Sequence, residues 1–512
     1  MTADELKHKA LSYTLPLVPA LLLLNACTST ESGSYQDPKP HGKAVYTEVM
    51  KKAFQYEGPA RNPVIVIHGL LGSQLTEQRT GTNIWGQFSL TEMLAGNKFA
   101  RLAHPMKEKM PLAKLVSDVR PSGLLSKSHI RVLGFSFDYE GYEILVHALA
   151  KAGYVPDTMP LPEGKHFYSQ FVFYYDWRRD ISENAVLLKK FIEEKKAYLN
   201  EKYKELYGLD DYEIHFDLVA HSMGGLLARY FMRYGGNALP ERELELPRLT
   251  WEGAKYVDRI VIIATPNAGY PDTLVELTEG LRLAPAAPVY PKAVIGTFPS
   301  YYQMLPNMET NSVVDAKTGK PVNCFNLETW VKYRWGLADP DADEWFRLLL
   351  PDVKTPEERQ RIVRDHLDKC LSRARQFKRA MQIPATTPEN VSVYLFAGDS
   401  ILTNSVLAVD PESGSVSVAR RDAGDGKIPV MSARQDLRTA EETLPFLKTP
   451  IAWTGIYHLP GGHMGIMNSG VFESNLFFLL LSLPTAAQNE NMKLFEELSQ
   501  KDAPVNADGS KR

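Results

Sequence analysis

Residues 215–229 read HFDLVAHSMGGLLAR and carry the most specific pattern in the chain. The apolar residues at 216–220 predict a strand buried on both faces, and the apolar spacing after Met223 predicts a helix. Ser222 stands at the turn between them. The small residues Ala220, Gly224 and Gly225 are typical of a sharp turn that presents a serine between strand and helix. The alternative interpretation is a serine that caps an ordinary helix.

Apolar runs of the same kind occur at residues 63–67, 171–175, 260–264 and 391–397. Helical patterns separate them, which predicts the α/β class with a mainly parallel central sheet. Two long segments interrupt this alternation, and we interpret residues 75–133 as a lid-type insertion and residues 274–388 as a cap insertion. We therefore expect one elaborated domain over residues 46–485, followed by a polar tail at 486–512 that frays.

The composition excludes several classes of protein. Hydrophobic residues make up 44% of the 512 and charged residues 23%, as in a packed globular protein. The formal net charge of -3 gives no strong positive field, so nucleic acid is not an expected partner.

The N-terminus has the pattern of a bacterial export signal. Basic residues at positions 7 and 9 precede an apolar run at 11–24, which is too short to span a bilayer as a helix. The following Leu24-Asn25-Ala26-Cys27 resembles a lipobox, which predicts a signal peptide at 1–26, lipidation of Cys27 and a flexible tether at 27–45. Thr28 resembles the residue found in lipoproteins sent to the outer membrane, so we expect a protein of the bacterial envelope that is anchored to a membrane. An ordinary signal followed by a chance cysteine is the alternative.

Two further sequence features concern the state of two cysteines and an acidic run that resembles a calcium loop. Cys324 and Cys370 could form a disulfide in an oxidising compartment or remain buried thiols. The acidic residues at 339, 341 and 343 begin like a calcium loop, but the next position is not glycine and Leu350 stands where a glutamate is needed. We interpret them as a solvated turn and expect neither a metal nor a cofactor.

A second stretch, residues 64–73, reads VIVIHGLLGS and predicts a strand followed by a turn. Acyl transfer needs hydrogen-bond donors for an oxyanion, and a turn after a neighbouring strand can supply one. We expect the backbone amides of Leu70 and Met223 to form this oxyanion hole. His68 is then interpreted as a structural residue.

A nucleophilic serine also needs an acid and a base, which follow it in that order in the α/β-hydrolase fold. Asp425 lies in a glycine-flanked turn and is one candidate for the acid, and Asp399 after the strand at 391–397 is the other. His463 lies in a glycine loop before an apolar helix and is the candidate base, with His458 as the second choice.

Taken together, these motifs resemble the lecithin:cholesterol acyltransferase family, which includes lysosomal phospholipase A2 and phospholipid:diacylglycerol acyltransferase. The resemblance runs from about residue 62 to 483. Besides the serine turn, the matching segments are HGLLGSQL at 68–75 with Trp85, the helical segment from GY at 141–142 to GY at 153–154, YDWR at 175–178, FPS at 298–300, MLP at 304–306, GDGKIP at 424–429 and HM at 463–464.

The resemblance favours Asp425 over Asp399 because the family has its acid in a similar loop. It implies a lipid O-acyltransferase or acyl hydrolase that acts through a serine acyl-enzyme, with a phospholipid or another lipid ester as acyl donor. Trp85, Asp176 and Arg178 become candidates for substrate or lid contacts, although Trp85 could equally be core and the other two could form a structural ion pair.

Several alternatives stay open. The sequence does not decide whether water or an alcohol receives the acyl group. An esterase or lipase for esters other than phospholipids and a non-catalytic envelope lipoprotein with this fold are the other functions considered. The lid-type insertion contains no cysteine, so a disulfide-closed lid is not expected.

Overall fold

A six-stranded parallel sheet forms the centre of the computed structural model, in the order β16-β13-β9-β8-β1-β7. The structure describes residues 44–501 apart from 87–96, 126–127, 133–134, 140, 211, 284–288, 439–442 and 444. The predicted signal peptide, Cys27 and nearly all of the tether lie outside the described residues. The strands are β1 (Val64–Ile67), β2 (Ser73–Glu77), β3 (Asn83–Trp85), β4 (Val119–Leu124), β5 (Ser128–Val132), β6 (Phe135–Tyr139), β7 (Gln170–Phe173), β8 (Phe216–His221), β9 (Val257–Ile263), β10 (Leu281–Arg282), β11 (Val289–Tyr290), β12 (Val313–Asp315), β13 (Ser392–Gly398), β14 (Ile401–Val409), β15 (Val416–Gly424) and β16 (Gly455–Leu459).

Helices cover both faces of this sheet. They are α1 (Glu48–Gln55), α2 (Asn97–Leu102), α3 (Glu143–Lys151), α4 (Ile181–Tyr207), α5 (Met223–Tyr234), α6 (Asp272–Glu279), α7 (Lys292–Ile295), α8 (Pro299–Gln303), α9 (Leu327–Tyr333), α10 (Asp343–Leu349), α11 (Pro356–Gln382), α12 (Val430–Arg434), α13 (Gly470–Phe477), α14 (Ala486–Glu490) and α15 (Met492–Lys501). The expectation of an α/β chain with a mainly parallel sheet is confirmed.

Alternation along β1 divides the core into two layers, because successive strand residues point to opposite faces. Ile65 and Ile67 pack in one apolar cluster with residues of α4 and α5. Val64 and Val66 pack in the other cluster with residues of α3 and α13. Burial on both faces explains why the predicted inner strands read as continuous apolar runs.

The sixth strand, β16, is absent from the predicted set. It lies at one edge of the sheet, and most of its residues are partly exposed. An edge strand of this kind has no continuous apolar run, so its sequence GIYHL carries a weaker signal than the inner strands.

The insertions add small elements around the sheet. Within the lid-type insertion, β2, β3 and β4 form a three-stranded antiparallel sheet. The cap insertion contains the 27-residue helix α11, which packs against α8 and α10. A further unit was not predicted: β12, β14 and β15 form a three-stranded sheet, and β15 leads directly into the loop of Asp425.

The C-terminal segment differs from its prediction. We expected a fraying tail from residue 486, but α14 and α15 extend the described chain to Lys501. Thr485 and Gln488 form a reciprocal capping box that satisfies amide groups at the start of α14, and Phe495 is buried. The sequence did not predict these two helices because their exposed faces give the segment a polar composition.

The segment Gly470–Glu490 is long and apolar enough to cross a membrane by length and composition alone. One such segment is weak evidence, since core helices pass the same test. Phe472, Leu476 and Leu479 of this segment cover the sheet as part of the core. Cys324 and Cys370 are buried free thiols, so the structure contains the second of the two states that the sequence left open.

Candidate active site

Ser222 occupies the junction of β8 and α5 in a backbone conformation that non-glycine residues rarely adopt. Its φ is 55° and its ψ is -128°. Such strain costs about 1–3 kcal/mol and is typical of functional positions. The turn is held because the Ser222 amide donates to the carbonyl oxygen of Ile263 at 2.8 Å. It also requires a small residue at Gly224, where a Cβ atom would lie 2.4 Å from the carbonyl oxygen of His68.

The structure brings Ser222, His463 and Asp425 together in one chain of hydrogen bonds. Nε2 of His463 lies 3.0 Å from Oγ of Ser222, and Nδ1 lies 2.9 Å from Oδ2 of Asp425. The amides of Lys427 and Ile428 donate to Oδ1 of Asp425 at 2.9 and 2.6 Å, which fixes the orientation of the carboxylate. In this geometry the carboxylate holds Nε2 available to accept the serine proton.

The two alternative residues lie elsewhere. Asp399 and His458 are exposed, and His463 is paired with Asp425. Asp399 belongs to the turn directly after β13, whereas Asp425 reaches His463 from the end of the β14–β15 hairpin. Because the β14–β15 hairpin follows β13 in the chain, Asp425 lies well beyond the end of β13 in the sequence.

The predicted oxyanion loop lies directly against the serine. The Gly72 amide donates to the Gly69 carbonyl at 3.2 Å, which closes a turn in which Leu71 has a φ of 65°. A Cβ atom on Gly69 would lie 2.7 Å from Cβ of Ser222, so only glycine allows this approach. Among the described residues, the amides of Leu70 and Met223 donate to no protein acceptor. They are available for a ligand oxygen, and the amino end of α5 favours negative charge there.

A network that sequence reasoning missed connects this loop to the base. The Gly69 amide donates to Oη of Tyr142 at 2.7 Å, and Oη lies 2.9 Å from Nδ1 of His221. Nε2 of His221 lies 2.8 Å from the carbonyl oxygen of His463 and must carry the proton, since that oxygen can only accept. Burial and the adjacent His463 lower the pKa of His221 well below its ordinary value. Neutral His221 therefore accepts a hydrogen bond at Nδ1 from the Tyr142 hydroxyl, and the same hydroxyl accepts from the Gly69 amide.

His68 has the structural surroundings expected from the sequence. Its ring stacks on Tyr175 with a centroid distance of 4.2 Å, and Nδ1 lies 2.8 Å from the Gly69 carbonyl. Burial lowers the pKa of His68 to about 4, so the ring is neutral at neutral pH.

Trp85 is a core residue, which is the second of the two interpretations that the sequence left open. It is 2% exposed, and its indole nitrogen donates to the Leu71 carbonyl at 2.9 Å. Its ring packs edge-on against Trp177. Trp85 therefore supports the oxyanion loop from inside the protein.

Asp176 and Arg178 form a buried ion pair, as the structural alternative for these two candidates predicts. The guanidinium donates to both carboxylate oxygens at 2.7 and 2.9 Å and also to the carbonyl of Leu102 at 2.7 Å. Although burial favours protonation, Arg178 holds the pKa of Asp176 below its ordinary value. The pair ties the end of β7 to the lid-type insertion.

The three acidic residues that begin like a calcium loop each form an ion pair with a basic side chain, and Arg334 contacts both Asp339 and Asp341. Lys292 contacts Asp339, Arg334 contacts Asp341, and Arg359 contacts Asp343. Within the part of the chain that the structure describes, no group of three or more His, Cys, Asp or Glu side chains is placed to hold a metal ion.

The fold and the serine at the β8–α5 junction define a protein of the α/β-hydrolase class. The family model of lecithin:cholesterol acyltransferase matches residues 82–335, which confirms the resemblance inferred from the motifs. The matched range contains Ser222, whereas Leu70, Asp425 and His463 lie outside it. No curated protein matches the chain in sequence.

Solved structures agree on the fold. A chain of the Tle4–Tli4 complex is 14% identical with a TM-score of 0.53, and the match covers 83% of this chain and 99% of that one. The mature lipase BlEst2 of Bacillus licheniformis is 12% identical with a TM-score of 0.29 over 83% of this chain and 94% of the lipase. Phospholipase PlaB of Legionella pneumophila is 11% identical with a TM-score of 0.29 over 89% of this chain and 67% of PlaB. The match to the Tle4–Tli4 chain, whose TM-score exceeds 0.5, supports the fold.

Proposed function

We propose that the chain transfers acyl groups from lipid esters through a covalent intermediate on Ser222. The observation that carries the proposal is the hydrogen-bonded series from Ser222 Oγ through His463 to Asp425, beside two amides that lack a protein acceptor. These are the groups that acyl transfer requires at one place. The family match supplies the lipid character of the substrate.

In the first half of the reaction, His463 takes the proton of Ser222 as Oγ attacks the ester carbonyl carbon. The amides of Leu70 and Met223 donate to the resulting oxyanion, and Asp425 stabilises the imidazolium. The bond to the leaving alcohol then breaks, and His463 gives its proton to that oxygen. The product is an acyl-enzyme and a free alcohol.

In the second half, an acceptor hydroxyl loses its proton to His463 and attacks the acyl carbon. The bond between this carbon and Oγ of Ser222 then breaks, and His463 returns the proton to Oγ. Water as acceptor releases a fatty acid, which makes the protein a phospholipase or lipase. A lipid alcohol as acceptor gives a new ester, which makes it an O-acyltransferase. Both acceptors use the same residues, and we propose acyltransferase-type chemistry in line with the family match.

The cellular setting is part of the proposal. The lipobox-like sequence at Cys27 supports a lipid-anchored protein of the bacterial envelope, in the outer membrane as Thr28 suggests. Such an anchor keeps the protein at a membrane, where lipid esters are concentrated.

The test is to incubate the full chain with phosphatidylcholine, with and without a long-chain alcohol, and to quantify free fatty acid and new ester. We expect both products to depend on Ser222 and the ester to appear only with the alcohol. Turnover of short soluble esters without any gain on lipid surfaces would identify an esterase for other substrates. Absence of all turnover would favour a non-catalytic lipoprotein.

A further inference from the structure

A small cavity is lined by Arg229 and Arg233 of α5, and we call it the arginine cavity. The two arginines are four positions apart on one helix, so their side chains lie on the same face. The volume of the cavity is about 30 Å³, which is space for about two water molecules or one ligand of the size of acetate.

The arginine cavity is separate from the candidate active site. Its lining residues Ile260 and Val393 are paired neighbours within β9 and β13. Ser222 instead follows the last residue of β8. A ligand in this cavity would therefore not occupy the place of the ester carbonyl.

Both guanidinium groups are buried, and their partners are neutral. Arg229 and Arg233 are 5% and 4% exposed. Arg229 donates to the side-chain amide oxygen of Asn267 at 2.8 Å, and Arg233 donates to the carbonyl oxygen of Ile383. Two aromatic rings also lie near Arg233, with centroids 5.5 and 5.9 Å from its guanidinium carbon. In the part of the chain that the structure describes, neither arginine forms an ion pair with an acidic side chain.

This arrangement leaves both charge and hydrogen-bonding capacity uncompensated. Burial, and then repulsion from Arg233, lowers the pKa of Arg229 to about 9. Nε of Arg233 is buried and donates to no acceptor among the described residues. A buried donor without an acceptor and a buried charge without a counter-charge both cost free energy. A bound anion would supply the missing acceptor and the missing negative charge together.

A third buried cation adds positive charge to this region. Lys378 of α11 is 8% exposed. Burial lowers its pKa to about 7, attraction to Glu309 opposes this effect, and repulsion from Arg229 adds to it. Glu309 is exposed and accepts a hydrogen bond from Gln382. The interior therefore keeps an excess of positive charge beside the arginine cavity.

The rest of the lining indicates which kind of anion fits. Ile260, Val391 and Val393 offer an apolar surface without side-chain donors. A phosphate ion would place some of its oxygen atoms against this surface, where they would lose their hydrogen bonds to water. A carboxylate has its two oxygen atoms on one side, which suits a guanidinium group, and its alkyl group can face the apolar side.

We propose that the arginine cavity binds a small carboxylate that carries a short alkyl group, of which acetate is the simplest. The carboxylate accepts hydrogen bonds from the guanidinium groups of Arg229 and Arg233, and the alkyl group packs against the apolar residues. This binding does not depend on acyl transfer by Ser222.

The test is to titrate the full chain at neutral pH with acetate, with sodium chloride added to keep the ionic strength constant. Saturation-transfer difference NMR should detect transfer to the acetate methyl group, because that group contacts apolar side chains. We expect a dissociation constant in the millimolar range, as for other ligands of this size. Relative to chloride, about 50 mM acetate should raise Tm by roughly 2 °C, and phosphate of the same ionic strength should not.

The variant Arg233→Met removes the charge and the unpaired Nε, and it should abolish both effects of acetate. Arg248→Met is the matched control, since Arg248 is exposed and far from the cavity in function, and it should keep both effects. Arg233→Lys keeps a positive charge but not the planar group, so acetate should bind about tenfold more weakly. This second variant decides the matter if Arg233→Met does not fold.

Three results would overturn the proposal. The first is a parent chain that shows neither saturation transfer nor a rise of Tm with acetate. The second is acetate binding that is undiminished in Arg233→Met or, where that variant does not fold, in Arg233→Lys. The third is a rise of Tm with phosphate equal to that with acetate, which would exclude selection of a carboxylate.

Discussion

The two edges of the central sheet, where the parallel strands end and where they begin, use buried polar groups in different ways. At the carboxyl edge, Ser222 and Leu71 have strained backbones, and polar groups such as Asp425 are buried with their hydrogen-bond partners. At the amino edge, where the parallel strands begin, Asn62 donates to Asp217 and Asp258, and Arg259 donates to Asp217.

The difference shows what each task needs. Acyl transfer requires polar groups that are already oriented before the substrate binds, because reorganising them during the reaction would cost free energy. At the opposite edge, the buried polar groups bond to one another and join separate segments of the chain. One sheet can support both, since its two edges are separated by the length of the strands.

Among the predicted variants, Asp425→Asn should cause the largest loss of activity. The amide cannot hold the imidazole as the carboxylate does, so kcat should fall about 10³–10⁴-fold. The matched control is Asp399→Asn, which changes an exposed aspartate that does not contact His463 and should keep near-normal turnover. Equal losses in the two variants, measured on a short soluble ester, would contradict the assignment of the acid.

The next effect concerns the close approach of the oxyanion loop. Gly69→Ala places a methyl group against Cβ of Ser222 and should lower kcat roughly 100-fold by displacing the Leu70 amide. Gly123→Ala is the control, because its Cβ atom meets nothing within 4 Å. Both variants should keep the circular dichroism of the parent protein. If Gly69→Ala retained full kcat, the loop would not hold the oxyanion.

A smaller effect is expected for Tyr142→Phe, which removes the hydroxyl between Gly69 and His221. We expect kcat to fall about tenfold while KM stays nearly constant, because the network positions reacting groups and does not touch substrate. His221→Phe should have a similar effect, and the double variant should lose little more than either single one. Additive losses would show that the two residues do not act as one network.

The smallest prediction concerns stability in a region that belongs to neither edge. His366 of α11 is buried, its Nε2 lies 3.0 Å from the Thr297 carbonyl, and burial lowers its pKa to about 4. Between about pH 4 and 6.5 the unfolded chain therefore binds more protons than the native one, so stability is lost as the pH falls through this range.

One histidine of this kind contributes up to roughly 3 kcal/mol of this loss. In urea unfolding at pH 7 and pH 4.5, His366→Gln should show a smaller difference in the free energy of unfolding than the parent protein. An unchanged difference would mean that His366 is not the group responsible.

The sequence predicted those features that depend on local pattern. The inner strands carry continuous apolar runs, and the serine turn needs small residues within a few positions of Ser222. The oxyanion loop and the glycine loops around Asp425 and His463 were also predicted from residues that are close together in the sequence. The structure places these residues together, with the hydrogen bonds reported above.

Features that depend on distant partners were not predictable in this way. The network joins Tyr142 to His221, which lie 79 positions apart in the sequence. The position of His221 next to Ser222 does not indicate that its hydrogen-bond partner is Tyr142. Trp85, Asp176 and Arg178 stood out in the motifs as candidates for substrate contact, yet burial makes them supports of the loops. The tail at 486–512 has a polar composition, and only its packing through Phe495 shows that α15 is part of the body.

Covalent labelling tests whether Ser222 is the nucleophile. The full chain is treated with a fluorophosphonate and digested, and the labelled peptide is identified by mass spectrometry. We predict one adduct, on Ser222, that disappears in Ser222→Ala together with the release of fatty acid from phosphatidylcholine. An adduct on another residue, or undiminished turnover in Ser222→Ala, would contradict the account.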